Sequence, residues 1–145
     1  MVTQLGANMS IEANKQAVRE FFDATTRRDR ATLSRLFAKD VAWQIPQSAP
    51  APFAGTHRGH AKVLELFLQG ASGLFVEGTH TVAIELLIAE GDLVAAEVQM
   101  NAKTVKGTDY RNQYVFLFTF RNGQIAEFRE HLDTRYAAPF LDPEA

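Results

Sequence analysis

The stretch YRNQYVFLFTFRNGQIAEFREHLD, residues 110–133, decides the fold of this chain. It contains two strand-like segments, 110–121 and 124–133, joined by Asn122-Gly123, a dipeptide typical of tight turns between antiparallel strands. Alternate side chains of a strand share a face. One face of the first segment is mostly aromatic and should lie inside the protein: Tyr110, Asn112, Tyr114, Phe116, Phe118 and Phe120. The stretch therefore predicts an antiparallel hairpin with an aromatic inner face.

Glu130 is the most informative residue of the second segment. Alternation places it on an apolar face, which comprises Ala126, Phe128, Glu130 and Leu132. The other face includes Ile125 and is otherwise mostly charged. A carboxylate in such a place is paired, protonated or used in chemistry. Two interpretations stay open: a structural carboxylate that a neighbour such as Tyr114 satisfies, or a general acid/base. We expect desolvation to raise its pKa.

The rest of the chain supplies helices on one side and further strands on the other. Helical periodicity covers residues 11–28, a short helix capped by Asp29 extends to Phe37, and a third helix runs over 60–69. A strand is predicted at 41–45, and strands at 79–89 and 93–102 complete a four-strand meander with the opening stretch. The proline-rich residues 46–58 should form a loop. This order predicts an α+β fold in which a curved, cone-shaped antiparallel sheet wraps on three N-terminal helices.

The strand at 93–102 allows two orientations. Periodicity alone turns its more apolar set inward and leaves Glu97 in solvent; this set comprises Val94, Ala96, Val98 and Met100. The alternative puts Glu97 in the cavity and the apolar set on the outer sheet face, where so apolar a surface indicates a subunit interface.

Bulk properties narrow the class of protein. The 145 residues suit a flexible tail over 1–10 and a single domain over 11–145. The net charge is −2 and the basic residues form no cluster, so neither nucleic acid nor membrane is an expected partner. The chain has no cysteine and no visible membrane span or signal peptide, which fits a cytoplasmic protein. No phosphate-binding glycine loop and no metal-ligand spacing appears, so neither cofactor nor metal is expected.

Several segments together resemble a known family: RRDRATLSRLFAKDVAW (27–43), AGTHRGHAKVLELF (54–67), EGDLVAAEV (90–98) and residues 110–134. They look like the nuclear transport factor 2-like superfamily, and within it the SnoaL-like group, which includes polyketide cyclases and is allied to limonene epoxide hydrolase and ketosteroid isomerase. The resemblance covers residues 11 to about 138. It implies a cone-shaped α+β barrel that commonly dimerises through its convex sheet face, which favours an inward Glu97.

The resemblance also implies site residues. The two carboxylates of limonene epoxide hydrolase relatives fall on Glu97 and Glu130, but Ala95 replaces the arginine between them, which argues against epoxide hydrolysis. The ketosteroid isomerase set falls on apolar residues, Ile45, Phe21 and Phe116, which argues against steroid isomerisation by that mechanism.

These observations predict a SnoaL-like small-molecule enzyme, with a non-catalytic, dimeric ligand-binding or scaffold protein as the alternative. Glu130 and Glu97 are the predicted catalytic residues. A hydrophobic or cyclic ligand would contact a wall made of Trp43, Asn112, Tyr114, Phe116, Phe128, Leu132 and His57. The protein is expected to form a homodimer through the outer sheet face.

Overall fold

A computed structural model describes the backbone of residues 4–141 and the side chains of residues 10–141. Within this range the chain is α+β, with four helices and six strands. In chain order they are α1 (Gln4–Arg27), α2 (Arg30–Leu36), β1 (Phe37–Ile45), β2 (Gly55–Arg58), α3 (His60–Gln69), β3 (Thr81–Glu90), β4 (Leu93–Lys103), β5 (Asp109–Arg121), β6 (Gln124–Leu132) and α4 (Thr134–Leu141).

The element boundaries differ from the sequence prediction in several places, and strand β1 begins at Phe37 rather than at residue 41. Helix α1 begins at Gln4 rather than at residue 11, so most of the predicted tail is helical. Residues 1–3 of that tail and residues 142–145 of the predicted domain lie outside the described range. The predicted loop 46–58 ends in strand β2, and the segment after the meander forms helix α4. Asp29 caps α2 as expected, because its Oδ1 accepts a 3.1 Å hydrogen bond from the Thr32 backbone N–H.

The six strands form one curved sheet in the order β2-β1-β6-β5-β4-β3. The predicted meander β3–β6 is confirmed, with antiparallel pairing throughout. Strand β1 joins it at β6 in parallel, and β2 pairs antiparallel with β1 at the edge. The turn between β5 and β6 has positive φ at both Asn122 (53°) and Gly123 (77°), which is the reason that an Asn-Gly pair suits it.

Phe21 of α1 joins the helices to the inner face of the sheet. Its ring is fully buried and lies 5.1 Å from Phe118, 5.5 Å from Phe128 and 5.3 Å from Phe67 of α3. The aromatic face predicted for β5 is buried as expected, from Tyr110 to Phe120. This cluster fills one part of the cone with side chains.

Strand β4 has the orientation that periodicity alone favours, and the prediction that Glu97 faces the cavity is wrong. Val94, Ala96 and Val98 are at most 1% exposed and pair with inward residues of β5. Glu97 pairs with Val115, which is exposed on the outer face. The predicted apolar interface set therefore belongs to the inner face of one chain's sheet, because its side chains share that face with the aromatic side chains of β5.

The alternation of side chains between the two faces of β6, which the sequence analysis assumed, is interrupted at one point. The register with β5 shifts between Thr119 and Phe120, so that Ile125 pairs with Phe120 and Glu127 pairs with Thr119. The extra residue, Ala126, is a β-bulge that turns Ile125 inward, where it is fully buried. Ile125 was predicted on the charged face. Beyond the bulge, Phe128, Glu130 and Leu132 keep the predicted inward direction.

Candidate functional site

A cavity of about 140 Å³ lies between the inner face of the sheet and the helices. Its lining is mostly apolar and comes from α1, α3, α4 and strands β1, β3, β4, β5 and β6. The polar residues that line it are few: Thr25, Thr26, His80, Asn101, Tyr110, Tyr114 and Glu130. A second cavity of about 130 Å³, beside residues 71–80, shares six lining residues with it, among them Phe75 and His80. A concave, mostly apolar space with a few polar groups is typical of a small-molecule site.

Glu130 is the carboxyl group of this cavity. Its side chain is half-buried by surface area, and we attribute the remaining accessible surface to the cavity that it lines. Burial raises the pKa of Glu130 to about 8, and the Trp43 indole N–H lowers it only in part. A carboxyl with this pKa is mainly protonated at neutral pH and can either give or accept a proton there.

Trp43 contributes the second functional group at this end of the cavity. The side chain is 3% exposed and stacks on Phe128, with ring centroids 5.6 Å apart. Its Nε1–H points toward the Glu130 carboxyl and lowers the carboxyl pKa as a donor, although the contact does not have the geometry of a full hydrogen bond. Among the described side chains, Nε1 is the one buried nitrogen or oxygen atom without a hydrogen-bond partner.

One of the two open interpretations paired Tyr114 with Glu130, but the Tyr114 hydroxyl bonds another tyrosine. The hydroxyl groups of Tyr110 and Tyr114 share a hydrogen bond, and the Asn112 amide donates a 3.1 Å bond to the Tyr110 hydroxyl. Burial raises the pKa of both tyrosines, so both hydroxyls are neutral at neutral pH. Neither Tyr114 nor Asn112 stabilises an ionised Glu130 by a hydrogen bond, which helps to keep the carboxyl protonated.

His80 marks the other end of the cavity, at the start of β3. Burial lowers the pKa of its imidazole, and the positive charge of Arg28 lowers it further. The ring packs against Phe75 at a centroid distance of 5.2 Å. The cavity therefore has a neutral imidazole near one end and a neutral carboxylic acid on its wall at neutral pH.

The structure brings together only part of the predicted site. Trp43, Tyr114, Glu130 and Leu132 line the cavity. Phe116 and Phe128 are fully buried in the aromatic core and do not line it. Asn112 holds Tyr110 and the backbone of Asp133 rather than facing the cavity.

The remaining two predicted site residues are corrected. Glu97 lies on the outer sheet face, on the side of β4 opposite to the cavity-lining Met100. The His57 Nε2 is 2.6 Å from the backbone oxygen of Phe53, and its ring packs beside Trp43 at 5.8 Å. The histidine thus fixes the 46–54 loop behind Trp43 instead of lining the cavity.

Sequence reasoning missed several cavity residues. Tyr110 was recognised as inward-facing but was not assigned to the site, although its position four residues before Tyr114 was available. Thr25, His80, Phe75 and Asn101 come from segments that meet only in the folded chain. No local pattern in the sequence marks them.

Other parts of the molecule have fewer features of a binding site. A larger, open groove of about 570 Å³ passes Lys103, Asp109 and Arg111, but its charges pair with one another, at 2.7 Å for Lys103 and Asp109. Among the described residues, no three His, Asp or Glu side chains gather in a way that could hold a metal ion. No helix within residues 4–141 is long and apolar enough to cross a membrane.

The fold agrees with comparisons to known proteins. The model of the SnoaL-like domain family matches residues 18–128, so the chain belongs to the SnoaL-like domain family. No curated protein matches the chain.

Solved structures with the same fold support this assignment. A nuclear transport factor 2-like protein of unknown function from Burkholderia pseudomallei is 26% identical, with a TM-score of 0.79, and the match covers 89% of this chain and 97% of that one. A nuclear transport factor 2-like protein from Burkholderia xenovorans is 29% identical, with a TM-score of 0.72 and coverage of 91% and 98%. TerC, co-crystallised with polyporic acid, is 22% identical, with a TM-score of 0.78 and coverage of 89% and 98%; this similarity supports the fold alone.

Proposed function

We propose that this protein is a SnoaL-like small-molecule enzyme of the isomerase, cyclase or hydrolase type, in which Glu130 is the general acid/base. The observation that carries the proposal is the Glu130 carboxyl group on the wall of a mainly apolar cavity, where burial raises its pKa to about 8. General acid/base catalysis is most effective when the pKa of the group lies near the working pH.

The surroundings of Glu130 suit this role. No hydrogen bond from Tyr114 or Asn112 and no arginine holds the carboxyl in its ionised form. The apolar wall, with Trp43, Ile45 and Leu132, would hold a compact hydrophobic ligand against it. Proton transfer by Glu130 needs no cofactor.

A homodimer through the outer sheet face is part of this proposal, but other residues than the predicted β4 set would form the contact. The outer face of the sheet carries Leu86, Ile88 and Leu93, each more than half exposed, next to the exposed Val115. An apolar patch on a sheet face is typical of a subunit contact. Burying it would leave the cavity on the inner face unaffected.

The experiment is a proton-exchange assay with a set of cyclic ketones in D₂O, followed by ¹H NMR. The wild-type protein is expected to catalyse exchange beside the carbonyl group of at least one of them. Replacement Glu130→Gln should lower this rate by about 10²- to 10⁴-fold, the usual contribution of an acid/base group. Glu97→Gln is the matched control, since Glu97 lies on the outer face, and should leave the rate unchanged.

The alternative is a non-catalytic ligand-binding or scaffold protein in which Glu130 is structural. Binding of a ketone without any exchange in the wild type, or equal exchange in Glu130→Gln, would favour it.

A further inference from the structure

We propose that Arg28 and His80 bind an acidic group of the substrate in the second cavity, while the apolar part of the same molecule lies beside Glu130 in the first. The inference rests on the proposed function and names the substrate class of its site: an apolar ring that carries a carboxylate on a short chain. Its starting point is the adjacency of the two cavities, of about 140 and 130 Å³, whose linings share six residues.

His80 is one of the shared residues, and its hydrogen-bonding groups are free. The ring packs against Phe75 at a centroid distance of 5.2 Å, but neither ring nitrogen has a hydrogen-bond partner among the described residues. The side chain is only half-buried, and its nitrogens remain accessible. A neutral imidazole offers one donor and one acceptor. A ligand in either cavity can therefore form a hydrogen bond with His80.

Arg28 supplies a positive charge beside His80. Its guanidinium donates to the backbone oxygen of Leu68 near the end of α3, and Arg28 and Leu68 both line the second cavity. The Arg28 charge lowers the His80 pKa, which places the two side chains close together. Glu77 also lines this cavity, yet no carboxylate of the described residues forms an ion pair with Arg28. A guanidinium has several N–H donors, so most of them remain available to an anion.

The backbone of Arg28 is also unusual. Its φ is 54°, directly after the last residue of α1, a position and conformation in which glycine is the usual residue. A residue with a side chain is less favourable there, and strained residues cluster at ligand sites. This independent observation fits a guanidinium that is needed at the second cavity.

The two cavities differ in a way that orients the ligand. Glu130 lines only the first cavity, whose volume is close to that of an apolar protein cavity of about 150 Å³ that binds benzene. Arg28 lines only the second. A carboxylate gains charge-assisted hydrogen bonds beside Arg28, whereas the mostly apolar first cavity would desolvate it. The ring therefore belongs beside Glu130 and the acidic group beside Arg28.

The test compares 3-phenylpropionate with 3-phenylpropionamide, which share the ring and chain and differ in the charge of the end group. We expect wild type to bind the acid about ten-fold more tightly at neutral pH, as measured by calorimetry. Arg28→Gln should remove this preference by weakening binding of the acid alone. Arg27→Gln is the matched control, since the adjacent Arg27 lines neither cavity and pairs with Asp23 at 2.7 Å; it should keep the preference.

The imidazole of His80 gives a second measurement that a merely structural Arg28 would not move. The acid probe should raise the His80 pKa in wild type, because a nearby anion stabilises the imidazolium, and the amide should leave it unchanged. Proton NMR follows this titration, and loss of the resonance in His80→Phe identifies it; His80→Asn serves if that variant does not fold. If Arg28→Gln does not fold, the His80 titration decides alone.

Equal binding of both probes by wild type, absence of binding by both, or a preference that persists in Arg28→Gln would overturn the inference. Equal weakening of both probes in Arg28→Gln would do the same, because Arg28 would then only hold the end of α3. These results leave the exchange assay with neutral ketones untouched. Equal exchange by wild type and Glu130→Gln would instead refute the proposed function without changing the preference for the acid probe.

Discussion

Tyr110 and Tyr114 share a hydrogen bond between their hydroxyl groups, on the same face of β5 and within the lining of the cavity. The two residues are four positions apart on one strand, and their hydroxyl groups contact each other instead of a group on β6. Asn112, between them, donates to the Tyr110 hydroxyl and to the backbone oxygen of Asp133. The polar side of the cavity is thus a closed network, and Glu130 stays outside it.

This network predicts different effects for the two tyrosines. Tyr114→Phe removes one hydrogen bond and should cost about 1 kcal/mol of unfolding free energy. Tyr110→Phe removes the acceptor of Asn112 as well and should cost more, because it leaves a buried amide with one partner fewer. Urea unfolding of both variants and of the double variant measures the coupling.

The same variants test whether Glu130 is independent of the tyrosines. Its pKa should remain raised in Tyr114→Phe, since no hydrogen bond joins the two side chains. Carboxyl-carbon NMR gives this value directly. A large change in the Glu130 pKa would show that the Tyr114 hydroxyl does bond the carboxyl in solution.

The outer sheet face predicts the site of dimerisation. Ile88→Glu places a charge in the middle of the apolar patch and should convert a dimer into a monomer, as seen by light scattering. Val105→Glu is the matched control: Val105 is 57% exposed against 56% for Ile88, but it lies in the turn between β4 and β5. Wild-type protein that is monomeric at working concentration, or equal effects of both variants, would contradict the proposed interface.

Val98 distinguishes the core from the interface on β4. The side chain is fully buried and pairs across the sheet with Tyr114. Val98→Ala should therefore lower the unfolding free energy by about 1–3 kcal/mol through lost packing, with no change in oligomeric state. A variant with unchanged stability and a weakened dimer would restore the outward orientation that the family resemblance suggested.

The fold could be predicted from the sequence where an alternating pattern was long and had apolar residues on only one face. The alternating aromatic face of β5 and the Asn122-Gly123 turn sufficed for the hairpin, and the resemblance extended this to the complete domain. The inward direction of Glu130 followed from Phe128 and Leu132 on the same strand. These features depend on interactions close in sequence.

The errors have local physical causes. On β4 both faces contain small or apolar residues, so alternation could not exclude an inward Glu97, and the expected dimer favoured the wrong face. The bulge at Ala126 shifts the β6 register by one residue, and nothing in the sequence around it identifies a bulge. The unpaired N–H of Trp43 and the position of His80 depend on contacts between distant segments, which periodicity does not contain.

Glu130 should make the stability of the protein depend on pH over a defined window. The pKa of this carboxyl is about 8 in the folded chain and about 4.5 for an ordinary Glu side chain. Between these values the unfolded chain releases the proton while the folded chain keeps it. The unfolded state then binds fewer protons than the folded state, so the unfolding free energy falls as the pH rises. The favourable contribution is complete below pH 4.5 and lost above about pH 8.

Replacement by glutamine isolates this effect from the other titrating groups. Glu130→Gln is neutral at every pH and should not show this pH-dependent loss of unfolding free energy. Its unfolding free energy relative to wild type should therefore rise from pH 4.5 to pH 8, by on the order of 4 kcal/mol at most. Urea unfolding at several pH values measures this difference, with Glu97→Gln on the outer sheet face as the control. If the unfolding free energies of wild type and Glu130→Gln changed in parallel through this window, Glu130 would ionise like a free side chain. The cavity would then contain a carboxylate at neutral pH instead of a carboxylic acid.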